Sequence, residues 1–317
     1  MTDGRATPSL WLELTPNCNL RCVFCYNPWR DGPKSAFPSR QTYAALQSGV
    51  DRLLRAVRFR YVALSGGEPL LYPSLMELVS WLSDRGESLV LTTNGRLLSQ
   101  ARAEELRDAG LGTVQISLLG SNSRTHDALA GRPSFDQALR AMACARSAGL
   151  ATSTTFIATS SNIRELPRVV KLVGLLGQTE LVVNELHPVG SAADEMDTLG
   201  ISTRQFERAL HAARRVGATT DVDVVPVRAA SASTGGPVVA RGWRRWSVSP
   251  DGCIKLCNHS SRTVGSLAEM TDDQINWLAL ALDEGRYEEL SRDVDNCLCF
   301  TRAVQTRVTS HACAPLS

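Results

Sequence analysis

Apolar runs of strand length alternate with amphipathic helical stretches over the first two thirds of this chain. Continuous or period-two apolar segments predict strands at residues 10–14, 61–64, 89–92, 113–118, 152–157 and 180–183. Between them, apolar positions recurring every three or four residues predict helices at 41–57, 74–84, 101–108, 135–147, 163–176 and 203–216. Strand and helix in regular alternation argue for a parallel sheet with helices outside it. Six such units make three quarters of an eight-unit barrel, whose chemistry belongs at the C-terminal ends of the strands. The expected fold is α/β, a partial (β/α)6 barrel.

The pattern changes after Val216. A last strand at 222–227 leads into a small-residue linker at 229–237, and a hairpin follows from 246–250 and 253–256 around the Asp251-Gly252 turn. A helix at 273–282 precedes a loop-rich, cysteine-bearing end. The expected division is a barrel over 1–220, a linker over 221–240 and a small cysteine-rich domain over 241–317.

Composition narrows the class. A chain of 317 residues can bury one large core and a smaller appended unit. Its net charge of +2 gives no reason to expect a nucleic-acid partner. No apolar run approaches the ~20 residues that span a bilayer, so no membrane partner is expected. Only a short polar stretch precedes the first strand, which does not read as a signal peptide. Nine cysteines then suit metal binding in a reducing, cytoplasmic compartment. Arg241, Trp243, Arg244, Arg245 and Trp246 read as a structural cluster at the domain junction.

Chemistry concentrates directly after the first strand, where Cys18, Cys22 and Cys25 stand in the spacing Cys-x3-Cys-x2-Cys. Such packing serves a disulfide scaffold, a zinc site or an iron–sulfur cluster. Structural zinc wants four closed ligands. Three thiolates with no fourth ligand at hand suit a [4Fe–4S] cube with one iron left open. The second strand ends in Ser65-Gly66-Gly67-Glu68-Pro69, whose paired glycines permit positive φ and close approach of backbone to a ligand.

Together these two motifs resemble the radical S-adenosylmethionine (SAM) superfamily. The resemblance implies a [4Fe–4S] cluster on Cys18, Cys22 and Cys25, with SAM chelating its open iron. It implies SAM contacts at Phe24, Gly66, Gly67, Glu68, Pro69, Asn94 and Ser117, with Glu68 either pairing the SAM amino group or bracing its turn. His126-Asp127 with Gly131 and Phe135-Asp136, and His187-Pro188-Val189-Gly190, resemble further family stretches near the barrel mouth. The two histidines read either as proton-transfer groups or as caps. An electron donor such as flavodoxin or ferredoxin is implied as partner.

The C-terminal cysteines, Cys253-x3-Cys257 and Cys297-x-Cys299-x13-Cys313, resemble a Twitch domain, the shortened form of the SPASM domain. That resemblance implies a second [4Fe–4S] cluster on Cys257, Cys297, Cys299 and Cys313; a zinc knot on the same thiolates is the alternative. Cys144 reads as an inert core thiol. Cys253 is then a spare thiol placed to return a hydrogen atom to a substrate radical, with the roles of Cys253 and Cys257 interchangeable. A thiol donor and the carboxylates Glu180, Glu185, Asp194, Glu195 and Asp197 near the mouth resemble the aminoglycoside-acting branch. The expectation is an epimerase of an amino sugar. The alternatives are maturation of a short ribosomal peptide, and dehydrogenation of an aminoglycoside with the second cluster as electron acceptor.

Overall fold

A computed structural model describes residues 7–27, 42–227, 245–259 and 263–283. Among them the strands are β1 (Ser9–Glu13), β2 (Val62–Ser65), β3 (Leu89–Thr93), β4 (Thr113–Ser117), β5 (Ala151–Ala158), β6 (Glu180–Glu185), β7 (Asp223–Val227), β8 (Arg245–Val248), β9 (Cys253–Lys255) and β10 (Gly265–Ser266). The helices are α1 (Tyr43–Ala56), α2 (Leu75–Ser83), α3 (Gln100–Asp108), α4 (Ser123–Ala130), α5 (Phe135–Ser147), α6 (Leu166–Leu175), α7 (Ser191–Asp194), α8 (Met196–Leu199), α9 (Thr203–Thr220) and α10 (Asp272–Asp283). Every strand and helix expected from the pattern is present. The pattern missed the short elements α4, α7, α8 and β10; the longest of them, α4, has eight residues whose buried positions are only His126, Leu129 and Ala130. The whole is a mixed α/β fold with parallel strands, consistent with the expected partial barrel.

The chain forms two compact units that interleave along the sequence. One comprises residues 1–14, 31–66 and 230–317, the other 15–30 and 67–229. β8 adds to β1 in parallel, Trp11 opposite Ser247, and so joins the hairpin region to the first strand. No sequence pattern announces such a long-range pairing.

In the first unit β2, β1 and β8 are parallel, while β8, β9 and β10 run antiparallel. One face of these strands carries Leu10, Leu12, Val62, Leu64, Trp246, Val248 and Ile254, all buried. The other face carries Glu13, Ser65, Ser247 and Lys255, and it is buried as well. There the Lys255 ammonium donates to the Glu13 carboxylate at 2.7 Å, with side chains 4% and 2% exposed. Burial pushes the Glu13 carboxyl above its ordinary pKa and Lys255 pulls it back. Beside this pair the Arg245 guanidinium lies 4.4 Å over the Trp11 ring and donates to Asn258 at 2.8 Å. Arg52 on α1 donates to the carbonyls of Leu267 and Met270, tying that helix to the turn before α10.

In the second unit β3 to β6 are successive parallel neighbours, and β7 continues the series beside β6. Buried alternation on β4 sends Val114 and Ile116 to the helix side and leaves Gln115 and Ser117 half-buried on the other. Helix α5 buries the small residues Ala138, Ala141 and Ala145, which let it lie against Gly95. A capping box between Ser202 and Gln205 starts α9. Among the described residues no helix is long and apolar enough to cross a membrane.

The Glu13–Lys255 pair yields a stability prediction. Lys255→Met leaves a buried carboxylate without its counter-charge and should cost about 3–5 kcal/mol in urea unfolding at neutral pH. The double variant Glu13→Gln/Lys255→Met should recover much of that loss. Equal stability of the Lys255→Met variant and the parent would show the pair to be energetically idle.

Candidate functional site

The three-cysteine loop begins where β1 ends, and backbone contacts hold it at several points. Gly67 N–H donates to the Thr15 carbonyl at 2.7 Å, and Glu68 N–H donates to the Asn17 carbonyl at 2.8 Å. Gly67 has no room for a side chain, since a Cβ there would stand 2.2 Å from the Asn17 carbonyl oxygen. Gly66, before it, turns the chain at a φ of 120°. Further along, Arg21 and Val23 each donate from backbone N–H at 3.0 Å to the carbonyls of Ala130 and Leu129 at the end of α4. Gly131, at a φ of 69°, ends that helix against the Arg21 carbonyl. The Cys25 carbonyl accepts from Ser191 N–H at 2.9 Å, and Gly190 approaches it where a Cβ would stand 2.4 Å away. The loop's apolar side rests on a buried cluster of Leu20, Leu119, Leu129, Ala130, Leu186, Ala192 and Leu199, with Cys22, Val23 and Phe24 packed against it.

Glu68 is fully buried and both its carboxylate oxygens are occupied. Oε1 accepts from Leu70 N–H at 3.1 Å and Thr93 hydroxyl at 2.7 Å, while Oε2 accepts from Asn94 N–H at 3.0 Å. Of the two roles open to Glu68 in the sequence, the geometry supports bracing. Burial raises its pKa, and the three donors oppose that rise. The clasp fixes the end of β3, so that Asn94 donates to Asn19 at 2.8 Å and faces the Cys18 sulfur at 3.9 Å. Pro69 is buried at the head of the short turn Pro69–Leu71. Ser117 closes β4, half-buried. Thr93, the last residue of β3, turns its hydroxyl to Glu68 in this clasp, a partnership that spacing along the chain does not reveal.

The histidine motif also proves to be a frame. His126 is 2% exposed; its Nδ1 accepts from Leu119 N–H at 3.1 Å and its Nε2 lies 3.1 Å from the Ser134 hydroxyl. Burial lowers its pKa to about 4, so the ring is neutral at physiological pH. The Asp127 carboxylate accepts from Ser134 and Phe135 N–H at 2.8 and 2.9 Å, starting α5. Glu165 gathers Thr125, Ser121 and Asn122 around its carboxylate. Burial alone would raise the Glu165 pKa, but these donors hold it below the ordinary value. The result is a rigid α4 whose last carbonyls hold the cysteine loop. His187 follows β6, with its carbonyl accepting from Val189 N–H.

The C-terminal residues divide. Cys257 is buried, and its sulfur accepts from His259 N–H at 3.4 Å. Cys253 is buried on the same strand face as Lys255 but is disulfide-bonded. In this state it carries no S–H bond, so the expected role as hydrogen-atom donor calls for its prior reduction. Cys297, Cys299 and Cys313, the other expected ligands of a second cluster, lie outside the described residues.

A model of the radical SAM superfamily matches residues 12–173, from the end of β1 through the cysteine loop and into α6. The chain belongs to the radical SAM superfamily. Curated relatives include an AdoMet-dependent heme synthase of Methanosarcina barkeri, 33% identical over 63% of this chain and 55% of that protein. A probable GTP 3',8-cyclase of Saccharolobus solfataricus is 30% identical over 80% of this chain and 83% of that protein. Mycofactocin maturase MftC of Mycolicibacterium smegmatis is 32% identical over 61% of this chain and 48% of that protein. Among solved structures, Streptococcus suis SuiB bound to its precursor peptide SuiA shares the fold with a TM-score of 0.67 at 14% identity, over 84% of this chain and 63% of that one. This chain thus spans about half the length of the heme synthase and the maturase.

A radical SAM enzyme is expected to hold SAM and an iron–sulfur cluster, and the loop fits that group. Leu20 N–H donates to the Cys18 sulfur at 3.4 Å, the kind of contact that supports a thiolate. Cys18 and Cys25 stand close enough for each charge to act on the other. Among the described residues, no three His, Cys, Asp or Glu side chains are gathered as a single metal ion would need. A four-iron cube spreads its thiolates more widely than one ion does.

Two variants test the frame. Gly67→Ala should push the Asn17 carbonyl aside and, after anaerobic reconstitution, lower iron and sulfide content together with SAM binding. A fully loaded variant would show that the clasp does not shape the loop. The His126 ring should titrate near pH 4 in an NMR pH series. Because its pKa is lower folded than unfolded, its stabilising contribution is complete above about pH 6.5 and is lost as pH falls toward 4.

Proposed function

We propose that this radical SAM enzyme uses Cys18, Cys22 and Cys25 to hold a [4Fe–4S] cluster and abstracts a hydrogen atom from a peptide substrate. The observation that carries the first half is the clasp of Gly67 and Glu68 on the cysteine loop. It leaves Cys18 exposed beside Asn94, at the end of β3 where a ligand would lie. A cluster held by these three cysteines would supply the single electron for reductive cleavage of SAM.

The protein's own part is positional. Asn94 and Ser117 offer polar groups at the ends of β3 and β4 for SAM. Phe24 keeps one side of the loop apolar and so limits water. His126 does not move protons, being neutral and engaged on both ring nitrogens. For the substrate, support comes from a maturase among the relatives and from a fold shared with an enzyme solved with its precursor peptide. Cys257 with Cys297, Cys299 and Cys313 is the proposed ligand set of an auxiliary cluster in a Twitch-like region.

Epimerisation of an amino sugar is the second reading. It is favoured by the carboxylate of Glu185 at the C-terminal end of β6, followed by Asp194, Glu195 and Asp197, whereas Glu180, also expected there, begins the strand at its other end. It requires Cys253 to be reduced before turnover.

Reconstituted enzyme should carry about eight irons per chain with both clusters, or about four with the first alone. It should form 5′-deoxyadenosine from SAM under dithionite, and Cys22→Ala should abolish this. Continued formation in that variant would overturn the cluster assignment. Turnover in deuterium oxide then separates the substrates. A peptide product lighter by two mass units supports maturation, whereas an aminoglycoside gaining one deuterium, dependent on Cys253, supports epimerisation.

A further inference from the structure

The outer border of the cysteine loop carries arginines without carboxylate partners. Arg21, between Cys18 and Cys22, is exposed, and its backbone is held by Ala130 and by the close approach of Gly131. Arg132, next in the chain, is exposed too. Arg124, at the other end of α4, is exposed on the rim of a groove of about 370 Å³ whose floor includes Val23, Leu129 and Leu199. Among the described residues none of the three makes an ion pair. The nearby acids are mostly committed: Asp127 caps α5, and Glu165 is bound by Ser121, Asn122 and Thr125. Glu195 is the one acidic side chain lining the groove.

The placement matters because Val23 lies on the groove and is covalently next to Cys22, so this surface is one residue from a proposed cluster ligand. The loop's other border, at Cys18, faces Asn94 and the proposed SAM position. An electron entering from outside needs a short route that leaves the SAM side free. Unpaired positive charge around an apolar depression complements an acidic partner and speeds its encounter.

We propose that Arg21, Arg124 and Arg132 with the Val23–Leu129 groove form the docking surface for an acidic one-electron carrier protein of the flavodoxin or ferredoxin type. The inference rests on the cluster reading above. The carrier gives up one electron and the cluster gains it; no bond is made or broken at the docking surface.

The test uses reconstituted enzyme with oxidised flavodoxin and oxidised ferredoxin as probes, and equilibrium binding is followed by fluorescence and calorimetry. The variant is Arg124→Glu/Arg132→Glu. Arg124 lies in the first turn of α4, where an acid suits the helix, and Arg132 is an exposed residue beyond its Gly131 cap; circular dichroism and thermal unfolding verify that the double variant is folded. Arg204→Glu, exposed on α9, is the control. At least one carrier should bind the parent and the control alike, more weakly as salt rises, and about tenfold more weakly to the double variant. Formation of 5′-deoxyadenosine with dithionite, which needs no docking, should be equal in all three. Equal carrier affinity in parent and double variant, or no salt-sensitive binding of either carrier, would overturn the docking surface while dithionite turnover still stood. Failure of dithionite turnover in the parent would instead remove the cluster reading beneath it.

Discussion

A loop of eleven residues with three thiols has no regular structure of its own, and its shape is imposed by backbone hydrogen bonds from outside it. The Thr15 and Asn17 carbonyls are taken by Gly67 and Glu68, Arg21 and Val23 donate to the end of α4, and Cys25 accepts from Ser191. Three separate chain segments therefore grip one loop. Each contact depends on close approach, and the glycines at 67, 131 and 190 stand where a side chain would collide with the loop backbone. Positional precision of this kind is what a cofactor-holding loop needs, because thiolates displaced by an ångström no longer match a cube.

Much of the polar machinery near the loop serves that grip rather than chemistry. Glu68, Asp127, His126 and Glu165 are the residue types that invite catalytic roles. Each instead accepts from N–H or hydroxyl donors, or in the case of His126 bridges Leu119 and Ser134. A carboxylate engaged by such donors and a ring pushed to neutrality by burial are poor acid–base groups. Such an economy suits radical chemistry, where the cofactor performs the difficult bond cleavage and the protein must above all position it. The buried Glu13–Lys255 pair belongs to the same logic in the other unit, where a hairpin strand is locked through a charge pair to the strand that leads into the loop.

Relatives with a cyclase, a heme synthase and a maturase among them show how little the shared loop says about substrate. One scaffold can host several transformations, so membership of the family does not by itself give the substrate.

The sequence by itself determined the strand–helix alternation, the position of the cysteine loop after β1 and the glycine-rich turn after β2. All three are local: periodicity and spacing are properties of neighbouring residues, and each survives in any tertiary arrangement. It did not determine the short helix α4, whose three buried positions are too few for a periodic signal. Nor did it reveal the parallel addition of β8 to β1, the filling of Glu68 by Thr93 and Asn94, or the bonded state of Cys253. These were decided by tertiary structure alone, because each depends on which distant groups arrive within hydrogen-bonding or bonding distance.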